Sequence, residues 1–146
     1  MNIYLTGDTH GRFERIACFC KDNDTSPDNL LIILGDAGIN YYGGHRDKKL
    51  KQYIASMPIT LLCIHRNHER RPTACLGYEK AKRFGGEVMV KPEFPNQLFA
   101  LDGEVYKLNG QSCIAIGGAY SIDKEYRLMR GGGWWPDEQP SAAIKR

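Results

Sequence analysis

No stretch of this 146-residue sequence supplies the run of about 18 apolar residues that a membrane-spanning helix needs. Met1-Asn2 passes straight into a strand-like segment, with neither a basic region nor an apolar signal core, so the expected location is the cytoplasm. Long blocks of one charge are missing too. Lys+Arg 20 against Asp+Glu 17 leaves +3, a mild excess that demands neither nucleic acid nor an anionic membrane as partner. The local cluster Arg66, Arg70, Arg71 reads as a solvated turn or as a phosphate-binding patch. Cysteines are few and odd in number: Cys18, Cys20, Cys63, Cys75 and Cys113 are scattered and mostly embedded in apolar sequence, which fits buried reduced thiols better than a disulfide framework. Cys18 and Cys20, two apart on an expected helix, point to different faces, which argues against a thiolate clip. Histidine is scarce, four residues in all, and none follows His68. There is no internal repeat and no low-complexity segment. What remains, 42% hydrophobic and 25% charged, is ordinary for a soluble globular chain, and the length sets one domain with a real core over 1–146.

The chain is arranged around Tyr4-Leu5-Thr6-Gly7-Asp8-Thr9-His10-Gly11-Arg12. An apolar run, Ile3 to Leu5, stops at a glycine and gives way to a carboxylate and an imidazole two residues apart, where a strand would end and a turn can place two metal ligands. Alone, Asp-x-His is a weak signal, since turns are rich in Asp. Two later segments repeat the design. Leu30 to Leu34 is apolar without alternation, the mark of a strand covered on both faces, and ends in Gly35-Asp36-Ala37-Gly38. Ile59 to Ile64 ends in His65-Arg66-Asn67-His68-Glu69. Ligands of open α/β sheets bind beyond the carboxyl ends of the strands, so the three turns are expected to converge on one crevice.

Phe13, Ile16, Ala17 and Cys20 fall at helical spacing, as do Leu50, Tyr53, Ile54 and Met57 in a segment closed by Pro58. Thr73 to Phe84 is expected to hold a short helix, Gly86 to Val90 a short strand and Pro92 to Asn96 a loop. Glu104 to Leu108 and Gln111 to Ile116 flank Asn109-Gly110, which suits a type I′ hairpin turn. Ser121 to Pro140 reads as a long irregular stretch, and Ser141 to Arg146 as the opening of a helix with Ser141 as N-cap. The expected class is α/β, with a mixed sheet, parallel core strands and a C-terminal hairpin.

Asp8-x-His10, Gly35-Asp36 and Asn67-His68-Glu69, each after a strand and in that order, resemble the first three signature blocks of the calcineurin-like metallophosphoesterase superfamily. Gly117 to Lys124 and Trp134 to Gln139 are similar to segments of a bacterial and phage subgroup, so the resemblance covers essentially the whole chain. It implies an α/β/β/α sandwich, present here in part, and hydrolysis of a phosphomonoester or phosphodiester by attack of metal-bound hydroxide. In physical terms, two divalent cations roughly 4 Å apart make a nucleophile from water and neutralise phosphoryl oxygens, and Asp and His suit manganese, iron, zinc or nickel. By resemblance, Asp8 and His10 hold the first ion, Asp36 bridges both, Asn67 offers its amide oxygen to the second, and His68 stabilises the transition state or protonates the leaving oxygen. Glu69 either orients His68 or is a helix-start carboxylate.

The sequence departs from the family pattern twice. A glycine is expected before Asn-His, and Arg66 stands there; if the position needs positive φ, a non-glycine costs about 1 kcal/mol or more. The arginine is either tolerated or reaches a substrate phosphate. The family's two later histidine blocks have no counterpart after Glu69, so the chain resembles the N-terminal part of a longer protein. With only Asp36 and Asn67 for a second ion, at most one divalent ion is expected to bind tightly. His65 is read as packed or hydrogen-bonded and His45 as solvated. Truncation would expose an unpaired sheet edge and apolar surface, inviting oligomerisation. Tyr41, Tyr42 and Trp134-Trp135 either pack or line the cleft. The alternative function is a catalytically deficient fragment, acting as a binding or regulatory module or completed by another chain. Nucleic-acid binding rests only on the local arginines. Gly35-Asp36-Ala37-Gly38 lacks the Asp-Arg-Gly continuation of the phosphoprotein-phosphatase branch, so a protein substrate does not follow.

Overall fold

The structure, a computed structural model, describes residues 1–146. The three apolar runs become parallel strands β1 (Ile3–Thr6), β2 (Leu30–Ile33) and β3 (Thr60–Cys63), with Leu5 beside Ile32 and Ile32 beside Leu62. Helices α1 (Glu14–Asp22) and α2 (Gly44–Ala55) form the crossovers. Every residue of β2 is buried. The two-residue period of a strand sends Leu31 and Ile33 toward Phe13, Ile16 and Ile54 on the helical side, while Leu30 and Ile32 join Tyr106 and Leu108 on the opposite face. This two-sided burial is why the run shows no alternation.

Beyond β3 the chain makes a hairpin, β4 (Glu79–Arg83) and β5 (Gly86–Val90), and then β6 (Gln97–Ala100), which runs parallel to β3 and antiparallel to β5. The sheet order is β1-β2-β3-β6-β5-β4. Residues 73–84 do not form the expected helix. After a 3-10 turn at Pro72–Ala74 they extend into β4, because pairing with β5, closed by Phe84 and Gly85 at φ 52 and 79, outweighs the helix propensity of Glu79-Lys80-Ala81-Lys82-Arg83. The charges of β4 suit an exposed edge, and Lys80 pairs with Glu87 across the strands at 2.8 Å. β6 lacks a clear sequence signal because it opens on a buried polar residue, Gln97, which donates its amide to the Lys51 carbonyl at 2.8 Å.

Hairpin β7 (Val105–Leu108) and β8 (Gln111–Ile114) forms its own two-stranded sheet, anchored by Tyr106, whose hydroxyl donates to the Glu87 carbonyl at 2.6 Å. Asn109 and Gly110 adopt φ 47 and 82, as a type I′ turn requires. Asn109→Ala is expected to destabilise the fold by about 1 kcal/mol, because alanine carries the full steric cost of the left-handed conformation. The urea midpoint should fall with the slope unchanged. The mixed sheet with parallel core strands and the separate hairpin make this the α/β architecture anticipated from the sequence.

The C-terminal stretch is more ordered than expected at one place and less at another. Within 121–140 lies helix α3 (Lys124–Met129), whereas 141–146 is only a turn, with the Ile144 amide bonded to the Ser141 carbonyl at 3.1 Å. A single helical turn is not self-sustaining. Tyr53, placed by its spacing on the inner side of α2, is exposed. All five cysteines are free; Cys20 and Cys63 are buried, but Cys18 and Cys113 are exposed, against the expectation of buried thiols. β1 is an outer strand of the sheet with Leu5 65% exposed. No helix is long and apolar enough to cross a membrane.

Candidate metal centre

Asp8 and His10 follow β1, Asp36 follows β2 and residues 65–69 follow β3, so all sit beyond the carboxyl ends of adjacent parallel strands. The first two loops are joined backbone to backbone. The Thr9 and His10 amides donate to the Asp36 carbonyl at 3.2 and 2.8 Å, and the Gly11 amide donates to the Ala37 carbonyl at 2.8 Å. Gly38 is required by this contact, since a Cβ there would lie 2.7 Å from the His10 carbonyl carbon. One ligand atom each from Asp8, His10 and Asp36 thus lies within 4.8 Å of the others. His10 and Asp36 have φ of 48 and 46, a region that non-glycine residues seldom occupy. Strain at two members of one cluster marks a geometry imposed by the fold. Asp36 is 2% exposed, while Asp8 and His10 are open to solvent. Two carboxylates and one imidazole at this spacing fit a divalent cation.

The third loop closes on the same point. The His68 amide donates to Asp36 Oδ1 at 3.1 Å, and the His68 ring meets the His10 ring edge-on at 5.1 Å between centroids. Asn67 is buried and donates from Nδ2 to Ser121 Oγ at 2.9 Å, and that hydroxyl donates to Glu138 Oε2 at 2.5 Å. A hydroxyl has one hydrogen, so with it committed to Glu138 the amide must present nitrogen to Ser121, leaving Oδ1 as the end available to another partner. Buried Arg127, on α3, joins these pieces. Its Nε donates to Asp123, its Nη1 to the carbonyls of Asn67 and Gly133 at 3.2 and 3.0 Å, and its Nη2 to His68 Nε2 at 2.7 Å. The same Nη2 lies 3.3 Å from His68 Nδ1, so the guanidinium, which only donates, faces both ring nitrogens and favours a neutral imidazole. Burial, and next the Arg127 charge, hold the His68 pKa below its ordinary value, against the opposing pull of Asp36. Sequence reasoning missed Arg127, Ser121 and Glu138. Ser121 and Glu138 lie within the two segments similar to the family, and the four-residue spacing of Asp123 and Arg127 hints at a structured segment between them.

Arg66 has no positive φ, so glycine is not needed at that position. Its Nη1 donates to Asp8 Oδ1 and Oδ2 at 2.9 and 3.1 Å. Glu69 neither orients His68 nor begins a helix. It is buried under the 37–39 loop, whose amides face its carboxylate from beyond close hydrogen-bond geometry. Burial, with the Asp36 charge second, raises its pKa to about 8. His65 is packed, as expected, but neither ring nitrogen is hydrogen-bonded; burial and then Arg71 lower its pKa to about 3. His45 is exposed. Neither histidine joins the cluster. Arg71 is not part of a phosphate patch: it pairs with Asp102 at 2.6 Å and donates to the Asp137 carbonyl at 2.6 Å, tying down the C-terminal segment.

His10 and His68 line a cavity of about 420 Å³ together with Tyr41, Tyr42, Arg46 and Leu50. Tyr41 packs edge-on against Tyr42 and Trp135 at 4.9 and 5.6 Å, and the Arg46 guanidinium lies over the Tyr42 ring at 3.6 Å. The tyrosines therefore line the cleft, and Trp135 packs against one of them. A larger cavity of about 840 Å³ follows β1 past Asp8 and Arg12. It borders only one of the two imidazoles, so the smaller cavity is the better place for a reacting group.

Oxygen and nitrogen donors gathered beyond parallel strand ends, beside a neutral imidazole, are the equipment of metal-dependent hydrolases. A family model of the calcineurin-like phosphoesterases matches residues 1–144, and the chain belongs to that family, whose general chemistry is metal-dependent hydrolysis of phosphate esters. No curated protein and no solved structure matches the chain.

Proposed function

We propose that the chain is a phosphoesterase that hydrolyses a phosphomonoester or phosphodiester at the Asp8, His10, Asp36 cluster. The gathering of these three ligand atoms within 4.8 Å is the observation that carries this assignment. A divalent cation held there, of the manganese, iron, zinc or nickel type by donor chemistry, supplies a nucleophile from water and draws charge from phosphoryl oxygens. Asn67 Oδ1 is a further donor. His68 offers a ring N–H as a hydrogen bond to a phosphoryl or leaving oxygen, with Arg127 fixing the ring. The ester's leaving group lies toward Tyr41, Tyr42 and Arg46. A chromogenic aryl phosphodiester tests this: turnover should require added manganese and vanish in His68→Ala. Arg127→Lys, which keeps the charge but loses the fork, should lower kcat about a hundredfold with KM little changed, the scale of a mispositioned catalytic group. Turnover indifferent to manganese, or surviving His68→Ala in folded protein, defeats the assignment.

The alternative is a binding or regulatory module completed by another chain. It is favoured by the ligand count, since only Asp36 and Asn67 remain for a second ion and no histidine follows His68. It requires no turnover by the chain alone and recovery on adding a histidine-bearing segment. On either account calorimetry should find at most one tight manganese per chain. The outer edge of β1, with Leu5 exposed, is where self-association would occur; a monomer at high concentration in sedimentation would exclude it.

A further inference from the structure

Arg66 stands inside the ligand cluster. Its Nη1 donates to both oxygens of Asp8, its Nε lies 3.7 Å from Asp36 Oδ2, and its Nη2 makes no hydrogen bond within the protein. The stem is seated rather than loose. A Cβ on Gly35 would lie 2.8 Å from Arg66 Cδ and 3.1 Å from Arg66 Cβ, so the glycine before Asp36 leaves a track that the arginine fills. In the sheet β2 separates β1 from β3, and Arg66 crosses it over Gly35 to reach Asp8. One residue of the third loop thereby bridges the carboxylates of the first two with a charge that no ordinary pH removes. Charge balance points the same way. Two divalent ions plus the guanidinium would crowd five positive charges onto Asp8 and Asp36, whereas one ion plus the guanidinium leaves a modest excess suited to a phosphate ester.

We propose that Arg66 is the resident second cation of this centre. Its charge lies between the carboxylates of Asp8 and Asp36 and offsets them in place of a second metal ion, so the chain takes up a single divalent ion, and its free Nη2 receives a phosphoryl oxygen of the ester. Guanidinium suits both tasks because its fixed fork matches carboxylate and phosphate oxygens alike. The same charge competes with an entering divalent ion for Asp8. At 42% side-chain exposure the competition is moderate and weakens with salt. This assignment rests on reading the cluster as the metal centre of a phosphoesterase.

The test titrates metal-free protein with manganese by calorimetry at low salt, then titrates the manganese-loaded protein with inorganic phosphate. Arg66→Ala and the less disruptive Arg66→Gln should each bind manganese about tenfold more tightly, because a competing charge is gone, and phosphate about tenfold more weakly, because a donor is gone. Arg66→Lys should stay near wild type for manganese. A merely structural arginine would not give opposite signs, since loosened loops weaken both. Two tight manganese ions in the wild type overturn the proposal. So does manganese bound no more tightly by Arg66→Gln protein of unchanged melting temperature. Wild-type protein that takes up no manganese overturns the metal centre itself, and the role of Arg66 with it.

Discussion

Asp36→Asn is expected to abolish tight manganese binding and to lower turnover of an aryl phosphodiester by roughly three orders of magnitude, the equivalent of several kcal/mol of transition-state stabilisation. Asp36 is the deepest of the three clustered candidate ligands, 2% exposed, and its backbone carbonyl accepts the Thr9 and His10 amides. Asparagine keeps that carbonyl, tolerates the φ of 46 better than most residues, and retains an oxygen for the His68 amide. Only the charge is lost, so the melting temperature should change little while calorimetry and kinetics collapse together. Manganese affinity that survived in the folded variant would remove Asp36 from the centre.

Glu69→Gln should have the largest effect on stability, and only on the alkaline side. The Glu69 carboxyl titrates near pH 8 in the fold against an ordinary 4.5. Between these values the folded chain keeps a proton that the unfolded chain has released, so stability falls as pH rises from 4.5 to 8, by several kcal/mol in all. His65 acts in the opposite sense. Its pKa near 3 in the fold, against 6.5 ordinarily, means the unfolded chain binds the extra proton, and stability falls as pH drops from 6.5 to 3. From pH 4.5 to 6.5 the two slopes offset; from 6.5 to 8 the loss due to Glu69 stands alone. Glutamine is neutral throughout, so metal-free Glu69→Gln should melt higher than wild type at pH 8 by about ten degrees and match it near pH 4. Melting curves of the two proteins that fall in parallel above pH 6.5 would show that the Glu69 carboxylate is not desolvated.

The ligand-bearing turns were legible because a strand buried on both faces must be apolar along its length and must stop sharply where the backbone turns. That is why Asp8, Asp36 and Asn67-His68 stood out after Ile3–Leu5, Leu30–Leu34 and Ile59–Ile64. The strand β4 was not legible, since Lys80 and Lys82 are good helix formers and only a partner strand makes them extended. Gln97 hid β6 in the same way, its buried amide N–H being bonded to a carbonyl 46 residues away in sequence. Arg66 could be seen as a departure from the family pattern, but not paired. Asp8 is 58 residues distant, and only the order of the strands brings the two loops together. Arg127 carried no signal beyond its four-residue spacing from Asp123, because its worth lies in contacts to Asn67 and His68 some 60 residues earlier.

Those long-range contacts order the events of assembly. Gly118 bonds to the His65 carbonyl at 2.7 Å, Arg71 to the Asp137 carbonyl, Ser121 to Asn67 and Arg127 to His68. A ribosome makes Asp8, His10 and Asp36 first, then Asn67 and His68, and only much later the segment that grips the last two. The nascent polypeptide can thus gather cation ligands while its imidazole still swings free. The orientation of Asn67 and His68 is therefore fixed only late in translation, once 117–140 has docked on them.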